Sequence, residues 1–231
     1  MSNSQPEKVD LHTVIFKGHE FHFKKTKGID AICKEIFSDN YKVLESKLEF
    51  SPGDVILDIG ANEGVFSVMM SVFFPAARII AIEPIPATFQ TLMFNKEINN
   101  CDNLQAFRYA VGGKGRETTE FIVSKDYSGG STSKCTFNPE HHYKVDVATL
   151  TLDDLFLLLH IDRCKLLKMD IEGMEYDALY ASTILPRVDN FVGEFHMNQK
   201  LEYEGRRVDG LINWVKNQTR FIHVELCKMA E

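Results

Sequence analysis

The stretch VILDIGANEGVFS, residues 55–67, decides how the chain folds. Its first five residues are apolar apart from Asp58, which predicts a buried strand, and a turn with Gly60, Asn62 and Gly64 follows at once. Glycine adopts positive φ without a steric penalty, and asparagine is the other residue that best tolerates the left-handed conformation. A helix is expected directly after the turn, with its free N–H groups and the positive end of its dipole facing back toward it. The stretch therefore predicts a strand–turn–helix unit whose backbone passes close to a ligand.

The same alternation of strand and helix continues along most of the chain. Helical patterns cover residues 64–74 and about 86–99, and short apolar runs predict further strands: RIIAIEP, LQAFRYAV, KLLKMDIEG, DNFVGEF and FIHVELC. Alternating strands and helices favour a doubly wound α/β fold, in which a mostly parallel sheet carries helices on both faces. In such sheets ligands bind outside the carboxyl ends of the strands, where the strand order reverses. The residues that directly follow each strand are therefore the first candidates for function.

Two parts of the chain depart from this alternation. Residues 1–50 are expected to form an N-terminal extension, in which HTVIFKGHEFHF (12–23) predicts a hairpin. A helix is predicted over 29–50 by apolar side chains at helical spacing: Ile32, Ile36, Phe37, Leu44 and Leu48. Residues 51–231 are expected to form one domain, interrupted at about 112–147 by a β-insertion with strands around EFIVS and KVDVATL and a mobile loop at SGGSTSK.

Composition and charge exclude several classes of protein. The 231 residues carry a net charge of −7 and a pI of about 5.6, which argues against binding to nucleic acid. The five cysteines are odd in number and never spaced as C-x-x-C, as is typical of reduced thiols in a cytoplasm. The N-terminus lacks the pattern of a signal peptide, and no apolar run is long enough to span a bilayer. We expect a soluble cytoplasmic protein without nucleic-acid or membrane partners; no pattern indicates its oligomeric state.

Two carboxylates end the first two strands of the predicted sheet. Asp58 precedes the first glycine, where its charge is expected to repel a diphosphate and to attract an ammonium group. The G-x-N-x-G spacing also departs from the G-x-G-x-x-G of dinucleotide sites. Glu83 ends the next strand, where a carboxylate accepts hydrogen bonds from both hydroxyls of a ribose. Because NAD presents the same ribose, an NAD(P)-dependent oxidoreductase on this fold stays open.

Six segments occur in an order typical of one enzyme family: LDIGANEGVFS, AIEPIPATFQTLMFNKEINN, AVGGKG, TLDDL, LLKMDIEGMEYDAL and VGEFH. From about residue 53 to 197 the chain resembles the FkbM family of O-methyltransferases. The resemblance implies a Rossmann-like, class I methyltransferase that moves a methyl group from S-adenosylmethionine onto a hydroxyl of a small molecule, natural product or glycan. It also implies a set of cofactor-binding residues: Asp58, Gly60, Asn62 and Gly64 for the methionine side, Glu83 for the ribose, and the backbone at Tyr109 and Ala110 for the adenine.

Asp170 and His196 are the catalytic candidates. Asp170 ends a strand and is expected to face the cleft beside the transferable methyl, and His196 ends the next strand with a pKa suited to removing a hydroxyl proton near neutrality. Glu172 and Glu175 are expected to complement a helix dipole. No histidines stand at metal-ligand spacing, so no metal is expected, although an Asp170–Glu194–His196 site for Mg²⁺ stays open.

Two further alternatives concern the reaction itself. A degenerate member of the fold would bind a ligand or partner without catalysis, and a related enzyme would methylate nitrogen or a nucleic acid base, although the N-P-P-[YF] signature of base methylation is missing. His141 and His142 are expected on the surface. Acceptor specificity is expected to depend on residues 1–50 and 124–142, which the fold pattern constrains least.

Overall fold

The computed structural model of the chain describes residues 9–38, 48–113, 118–125 and 137–228. Its helices and strands in chain order are β1 (Leu11–Phe16), β2 (His19–Lys24), α1 (Ile29–Ile36), β3 (Val55–Ile59), α2 (Val65–Phe73), β4 (Arg78–Ile82), α3 (Pro86–Ile98), β5 (Leu104–Phe107), β6 (Ala110–Val111), β7 (Thr118–Ser124), β8 (His142–Leu150), α4 (Leu152–Leu158), β9 (Cys164–Met169), α5 (Glu175–Tyr180), a 3₁₀ turn (Leu185–Arg187), β10 (Val188–Met197), α6 (Gln199–Tyr203), α7 (Val208–Lys216) and β11 (Phe221–Lys228). No helix in these ranges has the length and apolar character that crossing a membrane requires.

A six-stranded sheet forms the centre of the molecule. Its strands lie in the order β11-β10-β9-β3-β4-β5, and every neighbouring pair is parallel. From β3 the chain builds outward through β4 and β5, and it then returns to place β9 on the other side of β3. The strand order therefore reverses between β3 and β9, which is where such sheets bind ligands. The predicted doubly wound, Rossmann-like parallel sheet is confirmed.

Helices cover both faces of this sheet, as the alternation predicted. Neighbouring residues of a strand point to opposite faces, so Leu57 packs with α4, α5 and α7, whereas Ile56 packs with α1, α2 and α3. Both side chains are completely buried. Strands that are buried on both faces have no solvent-exposed side, which explains why β3 and β4, apart from Asp58 and Arg78, are apolar runs rather than alternating ones.

The N-terminal segment packs on the face formed by α2 and α3. The predicted hairpin is confirmed as β1 and β2, which turn at Lys17 and Gly18 with φ of 48° and 80°. Phe21 and Phe23 are completely buried beside residues of α2 and α3. The helix predicted over 29–50 is seen only as α1, since residues 39–47 lie outside the described ranges and 48–50 are not helical.

The insertion forms a separate sheet at the edge of the domain. LQAFRYAV, which predicted one strand, is split at Arg108 and Tyr109 into β5 in the central sheet and β6 in a three-stranded sheet of order β6-β8-β7. The chain changes sheets at this break because Ala110 pairs with Thr149 rather than continuing beside β4. The predicted strands of the insertion are confirmed as the antiparallel pair β7 and β8. The loop expected at SGGSTSK lies outside the described residues.

Candidate functional site

Two adjacent cavities open at the carboxyl ends of β3 and β9. The first, of about 540 Å³ with its opening to solvent, is lined by Ile59, Gly60, Asn62, Glu83, Pro84, Ile85, Tyr109, Ala110, Val111, Phe121, Asp170, Ile171, Glu172 and Met174. The second, of about 550 Å³, is lined by Ile32, Glu35, Ile36, Gly60, Ala61, Asn62, Val65, Phe66, Lys168, Asp170, Glu172 and Glu194. We call the first the cofactor cleft and the second the acidic pocket.

The turn after β3 separates the two cavities and passes close to β9. Gly60 has a φ of 78°, and a Cβ added to it would lie 1.7 Å from the carbonyl oxygen of Asp170, so only glycine fits. Asn62 has a φ of 52°, which confirms the expected left-handed conformation, and it lines both cavities. Gly64 has a φ of 83° and lies behind the turn, where a Cβ would come within 2.8 Å of Leu92 Cγ.

Asp58 lies beneath the turn rather than at its surface. Its side chain is completely buried, and one oxygen accepts a hydrogen bond from Ser67 Oγ at 2.6 Å. Its other oxygen lies 3.4 Å from the ammonium of Lys168, which also donates to the carbonyl oxygen of Gly60 at 3.3 Å. Burial raises the pKa of Asp58, against the opposing effect of Lys168. The expectation that this carboxylate meets a ligand's ammonium directly is wrong, because Lys168 already neutralises it from inside the protein.

Glu83 lies on the wall of the cofactor cleft and is 5% exposed. One carboxylate oxygen accepts the backbone N–H of Asn62 and the other accepts that of Ile85, both at 2.9 Å. Burial raises the pKa of Glu83 to about 7, although both N–H groups oppose this effect. The two strand-end loops therefore fix the carboxylate in place, and each oxygen keeps a lone pair for a ligand.

The far wall of the cofactor cleft is apolar. Ile85, Ala110, Phe121 and Met174 are buried in one small cluster that joins the central sheet to the insertion. Tyr109, at the break between β5 and β6, is half-buried beside them. The predicted adenine-contacting residues Tyr109 and Ala110 thus lie in the same cleft as Glu83. A flat, apolar ring system fits this wall.

Asp170 lies at the boundary between the two cavities, held by the turn that follows β9. The fully buried carboxylate of Glu175 accepts the backbone N–H groups of Ile171 and Gly173, at 3.1 and 3.2 Å. Glu172 and Gly173 adopt positive φ of 54° and 94° in this turn. Glu175 therefore holds the turn after β9 in place. It lies in the first turn of α5, as predicted for a residue that complements the helix dipole, but the backbone N–H groups that it accepts belong to the turn before the helix.

His196 is buried among carboxylates at the end of β10. Its Nδ1 lies 2.9 Å from Glu175 Oε1, and its Nε2 lies 3.5 Å from Glu172, 3.8 Å from Asp170 and 3.9 Å from Glu194. Burial lowers the pKa of His196, but the bond to Glu175 and the surrounding negative charges outweigh it and raise the pKa to about 10. The predicted closeness to Asp170 is confirmed. The predicted pKa near neutrality is wrong, because the sequence does not reveal how many carboxylates surround the ring.

Three residues of this site were not among the cofactor-binding or catalytic candidates from the sequence. Lys168 could have been identified from the sequence, because a lysine inside a buried strand requires an oppositely charged partner. In the structure it lies in register with Asp58 of the neighbouring strand. Glu175 is one of several acids after β9, and the sequence does not distinguish it from Glu172. Glu35 reaches the acidic pocket from α1, where removal from water and the charges of Glu194 and Asp170 raise its pKa to about 7; no local pattern places α1 there.

The two histidines of the insertion lie away from both cavities. His141 is exposed, as predicted, and His142 is partly exposed at the start of β8, where its Nδ1 accepts the backbone N–H of Asn138 at 3.0 Å. Neither lines the cofactor cleft or the acidic pocket. His141 lies in the turn before β8, and His142 is the first residue of that strand.

Comparison with known proteins gives consistent matches. The sequence profile described as "Methyltransferase FkbM domain" matches residues 58–226 of the chain. "Methyltransferase 1" of Beauveria bassiana (strain ARSEF 2860) is 32% identical over 172 residues, which are 65% of this chain and 66% of that protein. "Methyltransferase sdnD" of Sordaria araneosa is 29% identical over 180 residues, 64% of this chain and 66% of that protein. The matched parts span just under two thirds of the length of these relatives.

Similarity to solved structures is more distant. The precorrin-6y C5,15-methyltransferase of Geobacter metallireducens GS-15 aligns over 64% of this chain and 55% of its own, with 19% sequence identity and a TM-score of 0.38. The likeness is confined to part of each chain.

Proposed function

This chain belongs to the family of FkbM-domain methyltransferases, and we propose that it transfers a methyl group from S-adenosylmethionine to a hydroxyl of a small molecule, natural product or glycan. The single observation that carries the proposal is Glu83. Its carboxylate is fixed by two backbone N–H groups in a cleft at the point where the strand order reverses. A carboxylate held in this way accepts hydrogen bonds from both hydroxyls of a ribose.

The rest of the cofactor cleft suits the other parts of the cofactor. The apolar wall beside Tyr109 and Ala110 would receive the adenine, as the resemblance implies. The methionine part would pass over Gly60 toward the acidic pocket, since Gly60 and Asn62 line both cavities. Asn62 Oδ1 is buried without a hydrogen-bond partner among the described residues, and it would accept a hydrogen bond from the amino group of the methionine moiety.

A dinucleotide is the alternative ligand for this fold, and the turn before α2 disfavours it. Glu63 immediately precedes Gly64, the N-cap of α2, and is 2% exposed, with Thr26 Oγ1 donating to it at 2.9 Å. A diphosphate at a helix N-terminus gains from the positive end of the dipole. A buried carboxylate beside that N-terminus reduces this gain and repels the phosphates. Glu63 therefore disfavours a diphosphate at this turn. Asp58 does not, because its charge is neutralised by Lys168.

Methyl transfer from a sulfonium is an in-line displacement, so positioning of the acceptor supplies much of the rate gain. Carboxylates that gripped the sulfonium would stabilise the ground state and not the transition state, in which its charge disappears. Asp170 lies at the border of the two cavities and would orient the acceptor oxygen and receive its proton. His196, with its pKa raised to about 10, would contribute positive charge rather than act as the base.

The proposal is tested by calorimetric titration of the full chain with S-adenosylhomocysteine and, separately, with NAD⁺ and NADP⁺. We expect binding of S-adenosylhomocysteine alone, weakened in Glu83→Gln and unchanged in Glu120→Gln, an exposed acid of β7 paired with Lys144. Binding of NAD⁺ in place of S-adenosylhomocysteine would overturn the proposal. Incubation with S-adenosylmethionine and panels of hydroxyl and amine acceptors, read by mass spectrometry, then tests oxygen as the acceptor atom; methylation of amines alone would refute that part.

A further inference from the structure

The side chains that converge on His196 form a cluster that the cofactor does not account for. Asp170, Glu172 and Glu194, which line the acidic pocket, each lie within 4 Å of its Nε2, and we name these four residues the His196 cluster. We propose that the His196 cluster binds a divalent cation of the class that accepts both oxygen and nitrogen ligands, for which Mn²⁺ is the representative. The imidazole and carboxylates would serve as ligands, and the ion would take the place of the Nε2 proton.

The distances within the cluster suit a shared ion better than direct hydrogen bonds. The three carboxylates lie 3.5, 3.8 and 3.9 Å from Nε2, beyond the range of about 2.7–3.2 Å in which N–H groups bond to oxygen. Ligand atoms around one divalent ion, with bonds of about 2.0–2.4 Å, lie roughly 3.0–3.8 Å from one another. Small side-chain movements therefore bring Asp170, Glu172 and His196 to coordinating distance of one ion, with Glu194 3.9 Å from Nε2 as a further carboxylate. The ligand atoms of Asp170, Glu172 and His196 already lie within 4.8 Å of one another.

A second, independent observation is the buried carboxylate of Glu175 behind the ring. Its Oε1 holds Nδ1 of His196 at 2.9 Å, while its Oε2 is buried with no hydrogen-bond partner among the described residues. Metal-binding histidines commonly donate their second ring N–H to a carboxylate, which fixes the tautomer and directs the other nitrogen at the ion. Glu175 is in that position, and a cation on Nε2 would polarise the ring toward this completely buried charge.

The excess of carboxylates around His196 also favours binding of a further cation. Four carboxylates lie within 4 Å of His196, and a protonated ring brings only one positive charge to the four of them. Lys168 lies 3.5 Å from Asp170, but it also pairs with the fully buried Asp58 at 3.4 Å. Glu35 adds a further acid from α1, with its ligand atom within 4.8 Å of those of Asp170 and Glu194. A divalent ion reduces this repulsion where one proton does not.

The ligand types narrow the choice of ion. Carboxylates suit Mg²⁺, Ca²⁺ and Mn²⁺, whereas an imidazole favours transition metals, so the mixed set favours Mn²⁺. Zn²⁺ would be favoured if Cys227 joined as a thiolate, because Glu194, His196 and Cys227 also form a compact group. In the structure Cys227 Sγ instead donates to Glu194 Oε2 at 2.8 Å, and a protonated thiol is not a ligand. Asp170, Glu172 and Glu194 are each partly exposed, so water and an ion can reach them.

Within the proposed function, the ion would lie beside Asp170 at the place proposed for the acceptor. A bound cation would ligate the acceptor oxygen and make it easier to deprotonate. This consequence rests on the proposed function, whereas binding of the ion does not. The two are separable because metal binding is measured without S-adenosylmethionine or an acceptor.

The test is equilibrium dialysis of the metal-stripped full chain against Mn²⁺, with free Mn²⁺ read by electron paramagnetic resonance. We expect one Mn²⁺ per chain. Binding should weaken at least about tenfold in each of Asp170→Asn, Glu194→Gln and His196→Gln, and about 10- to 100-fold in Glu175→Gln, which removes no proposed ligand but perturbs the orientation of the ring and the turn after β9. Glu120→Gln, which removes an exposed acid far from the cluster, should bind Mn²⁺ as the unaltered chain does.

Folding of each variant is checked by circular dichroism and by its Tm, because Asp170 and Glu172 also line the cofactor cleft. A variant that keeps its fold and loses Mn²⁺ supports the site. Absence of stoichiometric Mn²⁺ binding, or equal binding in the cluster variants and in Glu120→Gln, would overturn it. Substitution with Co²⁺ provides a further check, since a thiolate-to-cobalt charge-transfer band would place the ion on Cys227 and refute the proposed ligand set. Failure to bind S-adenosylhomocysteine with intact Mn²⁺ binding would instead refute the proposed function.

Discussion

Replacing Glu83 with glutamine separates the energetics of the fold from those of cofactor binding. Glu83 is 5% exposed, and its pKa is raised from 4.5 to about 7, a difference of about 2.5 pH units, or about 3 kcal/mol. The folded protein holds the proton of the Glu83 carboxyl more tightly than the unfolded chain does. The stabilisation from this proton is therefore fully present below about pH 4.5 and is lost as the pH rises to about 7. In Glu83→Gln the side chain does not ionise, so this pH-dependent loss of stability does not occur.

The same substitution also has a structural cost. Glu83 accepts two backbone N–H groups, from Asn62 and Ile85, and a glutamine amide offers only one oxygen. One buried N–H is left without an acceptor, at a cost of about 1–3 kcal/mol. The two effects oppose each other, so above pH 7 the free energy of unfolding of the variant should lie within about 2 kcal/mol of that of the unaltered chain.

Cofactor affinity should respond much more strongly. A hydrogen bond from a ribose hydroxyl to a charged carboxylate contributes about 1.5–3 kcal/mol, so loss of one such bond weakens binding roughly 10- to 150-fold. The ribose stabilises the ionised form, and Glu83 has a pKa of about 7 in the free protein. Affinity of the unaltered chain should therefore fall as the pH decreases below 7, while that of Glu83→Gln stays nearly constant. The ratio of the two affinities approaches one in acid.

The assay is calorimetric titration with S-adenosylhomocysteine at about pH 5.5 and about pH 8.5, with thermal unfolding measured in the same buffers. Glu120→Gln is the matched control, because it makes the same chemical change at an exposed position. Equal affinity of Glu83→Gln and the unaltered chain at the higher pH would refute the assignment of Glu83 to the ribose. An affinity ratio that does not change with pH would refute the role given to its ionisation.

Two further substitutions test the support beneath the turn. Lys168→Met leaves the fully buried Asp58 without its cation, so we expect the free energy of unfolding to fall by about 3–5 kcal/mol and the Tm by roughly 6–20 °C. The double variant Lys168→Met/Asp58→Asn should recover much of this loss. An unchanged Tm in Lys168→Met would contradict the buried ion pair. Gly60→Ala places a Cβ 1.7 Å from the carbonyl oxygen of Asp170, so S-adenosylhomocysteine binding should be lost. Gly205→Ala, at a φ of 79° with nothing within 4 Å of its added Cβ, introduces the same backbone strain without the clash and should lower the free energy of unfolding by only about 1–2 kcal/mol. Equal effects of Gly60→Ala and Gly205→Ala on stability and on S-adenosylhomocysteine binding would refute the close approach of Gly60 to Asp170.

The turns and strands were predictable where the local sequence alone sets the conformation. The hairpin of β1 and β2, the left-handed Asn62 and the parallel sheet all follow from residue periodicity and from which residues tolerate positive φ. The break in LQAFRYAV was missed because β-propensity does not reveal which partner a strand pairs with, and Ala110 pairs with Thr149 from 39 positions later in the chain.

In the candidate site, too, the sequence predicted the local features and missed those that depend on contacts between distant residues. The sequence identified Glu83 and Asp170 as acids at strand ends, and the carboxyl ends of parallel strands meet at one edge of the sheet. It did not reveal that Asp58 is neutralised by Lys168, nor that the acids around His196 raise its pKa to about 10. Those outcomes depend on distances of 3–4 Å between side chains of different strands.

By itself, the sequence determined the strand–turn–helix unit, the alternation that winds the sheet in two directions, and the acids at the strand ends, because these follow from local sterics and from the period of apolar residues. The tertiary structure decided which of those acids line a cavity and which are paired inside, and it brought Glu35 of α1 to the acidic pocket. The physical reason is that the ionisation of a side chain depends on desolvation and on the charges around it, and both are set by residues distant in the chain.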